Sequence, residues 1–288
     1  MMMTKFSNKV GFYLMRTVKS RKMRDYFAKK RSNQIKKSTI PEGIGKSIKV
    51  SRNDLAQKGY IDLGIYLSDD EVKTILAKIK SFKCYDPFRR DLGLFNVKDT
   101  PSEVHVANYR RQDLSSLPEL LDIANNSEIL KTVQDFLGAT PTISNINMWW
   151  SFPGKEQAEQ AQLFHRDVDD FKFCKLFIYL TDVDMNNGPH VYVEGSSSSE
   201  KLRKIKRYTD QEISDAFGKD AIKYFTAPKG SSFIVDTYGF HKGFLPKDKK
   251  RLLFQVQYSL NPIGIESYEP VDIGSHPYHP YVNRLILK

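Results

Sequence analysis

Cysteine is nearly absent from this chain: two residues, Cys84 and Cys174, in 288. Two thiols cannot build a disulfide framework, so a hydrophobic core must hold the fold, and a reducing compartment is expected. Long apolar runs are missing as well, since no stretch approaches the roughly 18 consecutive apolar residues of a membrane span. Near the start, the six-residue run Val10–Met15 ends at Arg16 with no small-residue cleavage site behind it. No secretory leader is expected there, and the reading is a cytoplasmic protein. Acidic residues are scarce at one end only: residues 1–50 carry Asp25 and Glu42 against fourteen Lys or Arg. That segment holds all of the net charge of +11, leaving residues 51–288 at −1. A neutral body disfavours nucleic acid as a partner.

What is present is the composition of an ordinary soluble protein, 40% hydrophobic and 27% charged, with ample material for one large domain. The chain divides into a basic extension, 1–45, and a single domain, 46–288. Within the extension, apolar and basic residues interleave at loosely helical spacing. Two readings stand side by side: an amphipathic helix in which residues 1–40 touch an anionic membrane surface, and a solvated extension. Pro41-Glu42-Gly43-Ile44-Gly45 is the breaker cluster that closes it.

The domain opens with helices, over about 46–140. Ser68 and Glu71 form a capping box ahead of Val72, Ile75, Leu76 and Ile79, which predicts a helix. A second helix is expected over about 117–137, ended by Gly138. From residue 143 the pattern alternates, and strands are predicted at 143–152, 162–167, 174–183, 190–194, 222–227, 232–236 and 252–260. One helix interrupts them, capped by Thr209 and Glu212 and ended by Gly218. The fold class is therefore mainly β with flanking α-helices, a sandwich, jelly roll or barrel over about 143–262, followed by a C-terminal loop segment.

Two strands divide cleanly by face. Cys174, Leu176, Ile178 and Leu180 are apolar, opposite Lys175, Phe177, Tyr179 and Thr181; Leu252, Phe254, Val256, Tyr258 and Leu260 lie opposite Arg251, Leu253, Gln255, Gln257 and Ser259. The polar faces would ordinarily meet solvent. If the N-terminal helices cover the apolar faces, the polar ones line an interior cavity instead.

His165-Arg166-Asp167 adds chemistry to that interior. In an extended segment residues 165 and 167 point one way and Arg166 the other, so the pair can reach a single metal ion. His241 follows 74 residues after Asp167, and Arg251 ten later. Two histidines and a carboxylate are a ligand set for non-haem Fe(II). On spacing alone, chance is the more frequent origin of a His-x-Asp in a chain with six histidines.

Taken together, FHRDVDDFKFCKLFIYLTDVDMNNGPHVYVEG from Phe164 and GSSFIVDTYGFHKGFLPKDKKRLLFQVQYSLNP from Gly230 resemble the phytanoyl-CoA dioxygenase family of Fe(II)- and 2-oxoglutarate-dependent oxygenases. The resemblance implies a double-stranded β-helix, a cupin-like jelly roll. It implies iron ligands His165, Asp167 and His241, and Arg251 on the distal carboxylate of 2-oxoglutarate. It also implies a reaction in which O2 and 2-oxoglutarate yield succinate, CO2 and a hydroxylated substrate. An Asp at position 167, where halogenating relatives carry Ala or Gly, favours hydroxylation. Departures from the family pattern are Gly195-Ser196-Ser197 in place of Gly-Ser-His, and Gly243 where a Ser is frequent.

From their faces, Lys175, Tyr179 and Asn147 are further candidates for 2-oxoglutarate or substrate contact. Gln255 and Gln257 are candidate polar lining. His105, His190, His276 and His279 are expected to be structural. The expected substrate is a small molecule or a lipid-linked one. The alternatives are an oxygenase acting on nucleic acid and a non-catalytic jelly-roll binding protein anchored by its tail.

Overall fold

The computed structural model describes residues 2–48 and 54–288; Met1 and residues 49–53, which fall within the expected extension and the first part of the domain, lie outside the described residues. Two helices open the chain, α1 (Met2–Thr17) and α2 (Arg21–Ser32), followed by α3 (Asp54–Gln57), β1 (Tyr60–Ile65) and α4 (Asp69–Ile79). Then come β2 (Cys84–Tyr85), β3 (Val106–Tyr109), α5 (Arg111–Leu114), α6 (Pro118–Ala124), α7 (Ser127–Leu137), β4 (Thr142–Ser151) and β5 (Phe173–Tyr179). The chain continues through β6 (His190–Val193), α8 (Asp210–Phe217), β7 (Ile222–Phe225), β8 (Ser231–Val235), β9 (His241–Gly243), β10 (Arg251–Ser259) and α9 (Pro280–Asn283).

The strands form two antiparallel sheets that face each other across a central cavity, a double-stranded β-helix. The larger sheet has the order β1-β8-β5-β10-β4-β3-β2, and the smaller β7-β6-β9. Alternation decides what each side of the large sheet meets. Leu176, Ile178, Phe254, Val256 and Tyr258 point outward into a core shared with Val72 and Ile75 of α4, Leu120 and Leu121 of α6, and Ile129, Val133 and Leu137 of α7. Each such side chain contributes on the order of 1.5–3 kcal/mol by leaving water. Tyr258 ties the layers together by donating its hydroxyl to Ala124 O at 2.9 Å. With the outer face so covered, the polar face of β5 and β10 is turned to the interior.

The expected helix over 117–137 is two helices. Asn126 interrupts it: its Oδ1 accepts from the backbone N–H of Glu128 (3.0 Å) and Ile129 (3.1 Å), capping a new helix where the old one would have continued. Asn125 beside it exchanges side-chain hydrogen bonds with Asn283 at 3.0 and 2.7 Å. The strand expected over 162–167 is not continuous either. His165 pairs with His241 and Phe164 with Tyr208 in isolated bridges, while the Asp167 N–H turns to Thr237 O at 2.9 Å, so no ladder extends along the segment.

The basic N-terminus is docked on the domain. Phe12 and Met15 of α1 pack with Val168 and Ile263. Arg24 of α2 is fully buried, donating to Asp170 O with its guanidinium 4.4 Å from the Tyr238 ring centroid. Arg21 reaches Asp236 at 3.2 Å, and Arg31 reaches Asn261 Oδ1 at 2.6 Å. No helix among the described residues is long and apolar enough to cross a membrane.

Candidate metal and cosubstrate site

The interior cavity measures about 220 Å³ and carries His165, Asp167, Lys175, His190, His241 and Arg251 on its walls. His165 and His241 sit directly opposite each other, exchanging both backbone hydrogen bonds at 3.0 Å. Side chains of such a pair project to the same side of the strands, and the two imidazoles stand 4.3 Å apart. Each Nδ1 lies against a backbone carbonyl two residues upstream, Leu163 O at 2.8 Å and Gly239 O at 2.9 Å. That contact fixes Nδ1 as the protonated nitrogen and leaves Nε2 as a ligand atom. Both Nε2 atoms turn to Asp167, at 3.5 Å from Oδ1 and 3.3 Å from Oδ2, and one ligand atom from each of the three residues lies within 4.8 Å of the others.

Arg166 points away, as alternation requires. It is buried on the far side, bonding Ser196 O at 3.0 Å and Tyr238 O at 2.6 Å with its guanidinium 3.9 Å from the Phe240 ring centroid. The bend that presents His241 depends on Gly239: a Cβ there would come within 2.1 Å of the Tyr192 hydroxyl, which bonds Asp236 O at 3.1 Å.

Electrostatics favour ligation. Burial, with His241 alongside, pushes His165 down to about 4, so its imidazole is neutral at physiological pH. Burial alone would raise Asp167, but Lys175 and His241 hold its carboxyl well below the usual range. Neutral imidazole and ionised carboxylate are the protonation states that a divalent metal needs. Three protein ligands on one side of an open cavity suit a transition metal that keeps further positions for other ligands.

Arg251 enters the cavity from the start of β10 and is 2% exposed. Its Nη1 donates to Gly188 O and its Nη2 to Ser151 Oγ at 3.2 Å, so its direction is fixed. The absence of a side chain at Gly243 makes room for it, since a Cβ there would lie 3.3 Å from Arg251 Nη2. Ser196, in the segment that departs from Gly-Ser-His, braces the backbone: its hydroxyl donates to Val193 O at 2.6 Å and accepts from Phe240 N–H at 2.8 Å.

The other candidates separate. Lys175 lines the cavity, with Nζ 2.7 Å from Asp167 and 3.5 Å from Asp169. Asn147 and Gln255 line it too and face each other across β4 and β10. Asn147 Oδ1 accepts from Met148 N–H at 2.9 Å. Tyr179 is not on the cavity wall; its hydroxyl donates to Phe225 O at 2.8 Å and accepts from His190 N–H at 2.9 Å. Gln257 is buried beyond the wall. His105, His276 and His279 have structural partners: Gln162 Oε1 at 3.1 Å, the Tyr278 ring, and Tyr281 N–H at 3.1 Å. His190 is the exception, on the cavity wall. Sequence reasoning missed Asn108 and Phe88 as wall residues. The period-two pattern of β4 placed Trp149 beside Asn147, whereas nothing local marks Phe88 or Asn108.

No family model matches the chain, and comparison with curated protein sequences gives no match. Solved structures are similar. One is HygX from Streptomyces hygroscopicus with nickel and 2-oxoglutarate bound, at 14% identity over 77% of this chain and 91% of that one, TM-score 0.53. The same protein with hygromycin B also bound aligns at 13% identity over 75% and 88%, TM-score 0.52. The non-heme alpha ketoglutarate dependent carbocyclase SnoK from nogalamycin biosynthesis aligns at 18% over 72% and 82%, TM-score 0.50. At these identities the likeness is one of fold. The shared fold is the jelly roll.

Proposed function

We propose that this chain is an Fe(II)- and 2-oxoglutarate-dependent dioxygenase that hydroxylates a small-molecule or lipid-linked substrate. The observation that carries the reading is the convergence of His165 Nε2, His241 Nε2 and the Asp167 carboxylate in one cavity that Arg251 also enters. Similar structures with nickel and 2-oxoglutarate bound support it. In this reading His165, Asp167 and His241 hold the metal, which supplies oxidative decarboxylation of 2-oxoglutarate by O2, yielding succinate, CO2 and substrate oxidation. Arg251 receives the distal carboxylate as a charge-assisted pair in a dry setting. Its bonds to Gly188 and Ser151 pre-set the guanidinium, so little freedom is lost on binding. Lys175 offsets part of the charge of Asp167 and Asp169, while Phe177, Leu253 and Trp149 add apolar surface to the wall. Asn108, Asn147 and Gln255 offer amides to a polar, uncharged substrate.

The test is succinate formation from 2-oxoglutarate with Fe(II) and O2, which runs at a basal rate even without the primary substrate. It is expected in the wild type and absent in His165→Ala. A wild type that neither binds iron nor forms succinate would leave only a binding role.

For α1 and α2 we propose contact with an anionic membrane surface. Tyr13 and Leu14, each 61% exposed, Met23 at 52% and Tyr26 at 64% stand outward among Arg16, Lys19, Lys22, Lys29 and Lys30. Apolar anchors within a basic face suit anionic headgroups. Sedimentation with phosphatidylserine vesicles should carry the wild type down and leave the Tyr13→Glu, Leu14→Glu double variant in solution; equal partitioning of both sinks the contact.

A further inference from the structure

Among the described residues, His190 is the cavity histidine that holds no ligand position. It lies at the start of β6 with 4% exposure. Its ring is stacked 5.6 Å from that of His241 at 26° and packs 4.9 Å from Phe177, 5.5 Å from Phe233 and 5.7 Å from Phe225. Aromatic contacts on these sides pack the ring, and its backbone N–H bonds Tyr179. Its Nε2 is buried without a hydrogen bond. An unmet polar atom in such a place is costly in free energy, and native folds rarely leave one unless something else completes it.

Arg251 presents the same deficit. Its two Nη groups are used, but Nε is buried with no partner. The two residues are neighbours through the backbone: His190 pairs with Gly243 across β6 and β9, Arg251 Nη2 lies against that same Gly243, and Arg251 Nη1 bonds Gly188, two residues before His190. Both residues line one cavity, and the imidazole Nε2 of one and the guanidinium Nε of the other each lack a partner. Each asks for an acceptor, and a carboxylate, with about four lone-pair sites on two oxygens, can serve both.

We propose that His190 is a second binding residue for the distal carboxylate of 2-oxoglutarate, donating from Nε2 to the carboxylate that Arg251 also receives. This rests on the oxygenase reading above. Stacking on His241 gives the residue a further consequence, since one rigid wall then joins a metal ligand to the cosubstrate seat.

The experiment is calorimetric titration of the Mn(II)-loaded protein with 2-oxoglutarate, with Mn(II) affinity measured separately, in wild type, His190→Phe and His190→Gln. Phe keeps the ring packing and removes the donor; Gln restores an N–H in a different shape. Loss of one hydrogen bond to a charged group predicts 2-oxoglutarate affinity lower by roughly 10–100-fold in His190→Phe. Mn(II) affinity should be unchanged and part of the loss recovered in His190→Gln. Equal 2-oxoglutarate affinity in wild type and His190→Phe overturns the proposal. So does a parallel fall in Mn(II) affinity, which would place the effect at His241, or a Gln variant no better than Phe when both fold. Should His190→Phe fail to fold, a His190→Gln protein with wild-type metal affinity and thermal midpoint decides alone: 2-oxoglutarate affinity below wild type supports the role, and unchanged affinity together with unchanged binding in His190→Leu overturns it. A wild type that binds Mn(II) but no 2-oxoglutarate refutes the oxygenase reading itself, a result distinct from either.

Discussion

Lys175 Nζ lies 2.7 Å from Asp167 Oδ2, the same oxygen that His241 Nε2 approaches to 3.3 Å. One carboxylate thus serves a lysine and a prospective metal ion. The lysine also reaches Asp169 at 3.5 Å, and these two carboxylates hold its ammonium pKa above the ordinary value even though burial pulls the other way.

Lys175→Met removes the cation from that cluster. Without metal, the two carboxylates are left facing each other, and stability should fall by about 1–3 kcal/mol, less than for a fully buried pair because Asp167 keeps some exposure. A divalent metal replaces the missing charge. Differential scanning fluorimetry should therefore give a lower midpoint for the metal-free variant and a larger rise on adding Mn(II) than in wild type. An equal rise in both would show that Lys175 has no electrostatic share in the site.

Acid should unfold the metal-free protein partly through His165. Its pKa is about 4 in the fold against an ordinary value near 6.5, so the unfolded chain binds the proton first. The contribution is complete above about pH 6.5 and is lost as pH falls toward 4, on the order of 3 kcal/mol. His165→Gln, which does not titrate, isolates it from Asp170, whose carboxyl burial raises to about 6 and which acts in the opposite sense. Urea unfolding of both proteins from pH 7 to 4 should show the wild type losing more than the variant. Parallel curves would refute the assignment.

The N-terminal helices bear on the same loops. Arg24 fills the space between Tyr238 and Phe171 and satisfies Asp170 O, while Met15 and Phe12 press on Val168, the residue after Asp167. Arg24→Ala should cost about 2–4 kcal/mol through the cavity and the unmet carbonyl, read as a drop in thermal midpoint. A change of less than about 0.5 kcal/mol, the ordinary size for a surface site, would mean that α2 is not seated as described. Deleting residues 1–40 strips this packing, so the exposed Tyr13 and Leu14 are the better probes of a membrane contact.

Local rules made a good part of this protein legible. The period-two alternation of 174–180 and 251–260 identified which side of each strand is apolar, the capping boxes at Ser68 and Thr209 located α4 and α8, and the spacing of His165 and Asp167 put both on one side of the chain. Such signals reach only from a residue to its near neighbours. Asn126 escaped the same reasoning because its capping bonds compete with a helix pattern that runs through it, and the basic N-terminus escaped because charge says nothing about which buried carbonyl awaits a guanidinium.

The tertiary structure decided everything that depends on pairing distant segments. The sequence by itself determined the residue types, their alternation and hence which side chains could share a face. Closing two sheets on each other set His165 opposite His241, seated Arg251 between Gly188, Ser151 and Gly243, and brought His190 beside it. Cross-strand register is fixed by the packing of whole sheets and by loop closure over tens of residues, energies spread over many contacts that no short window of sequence contains.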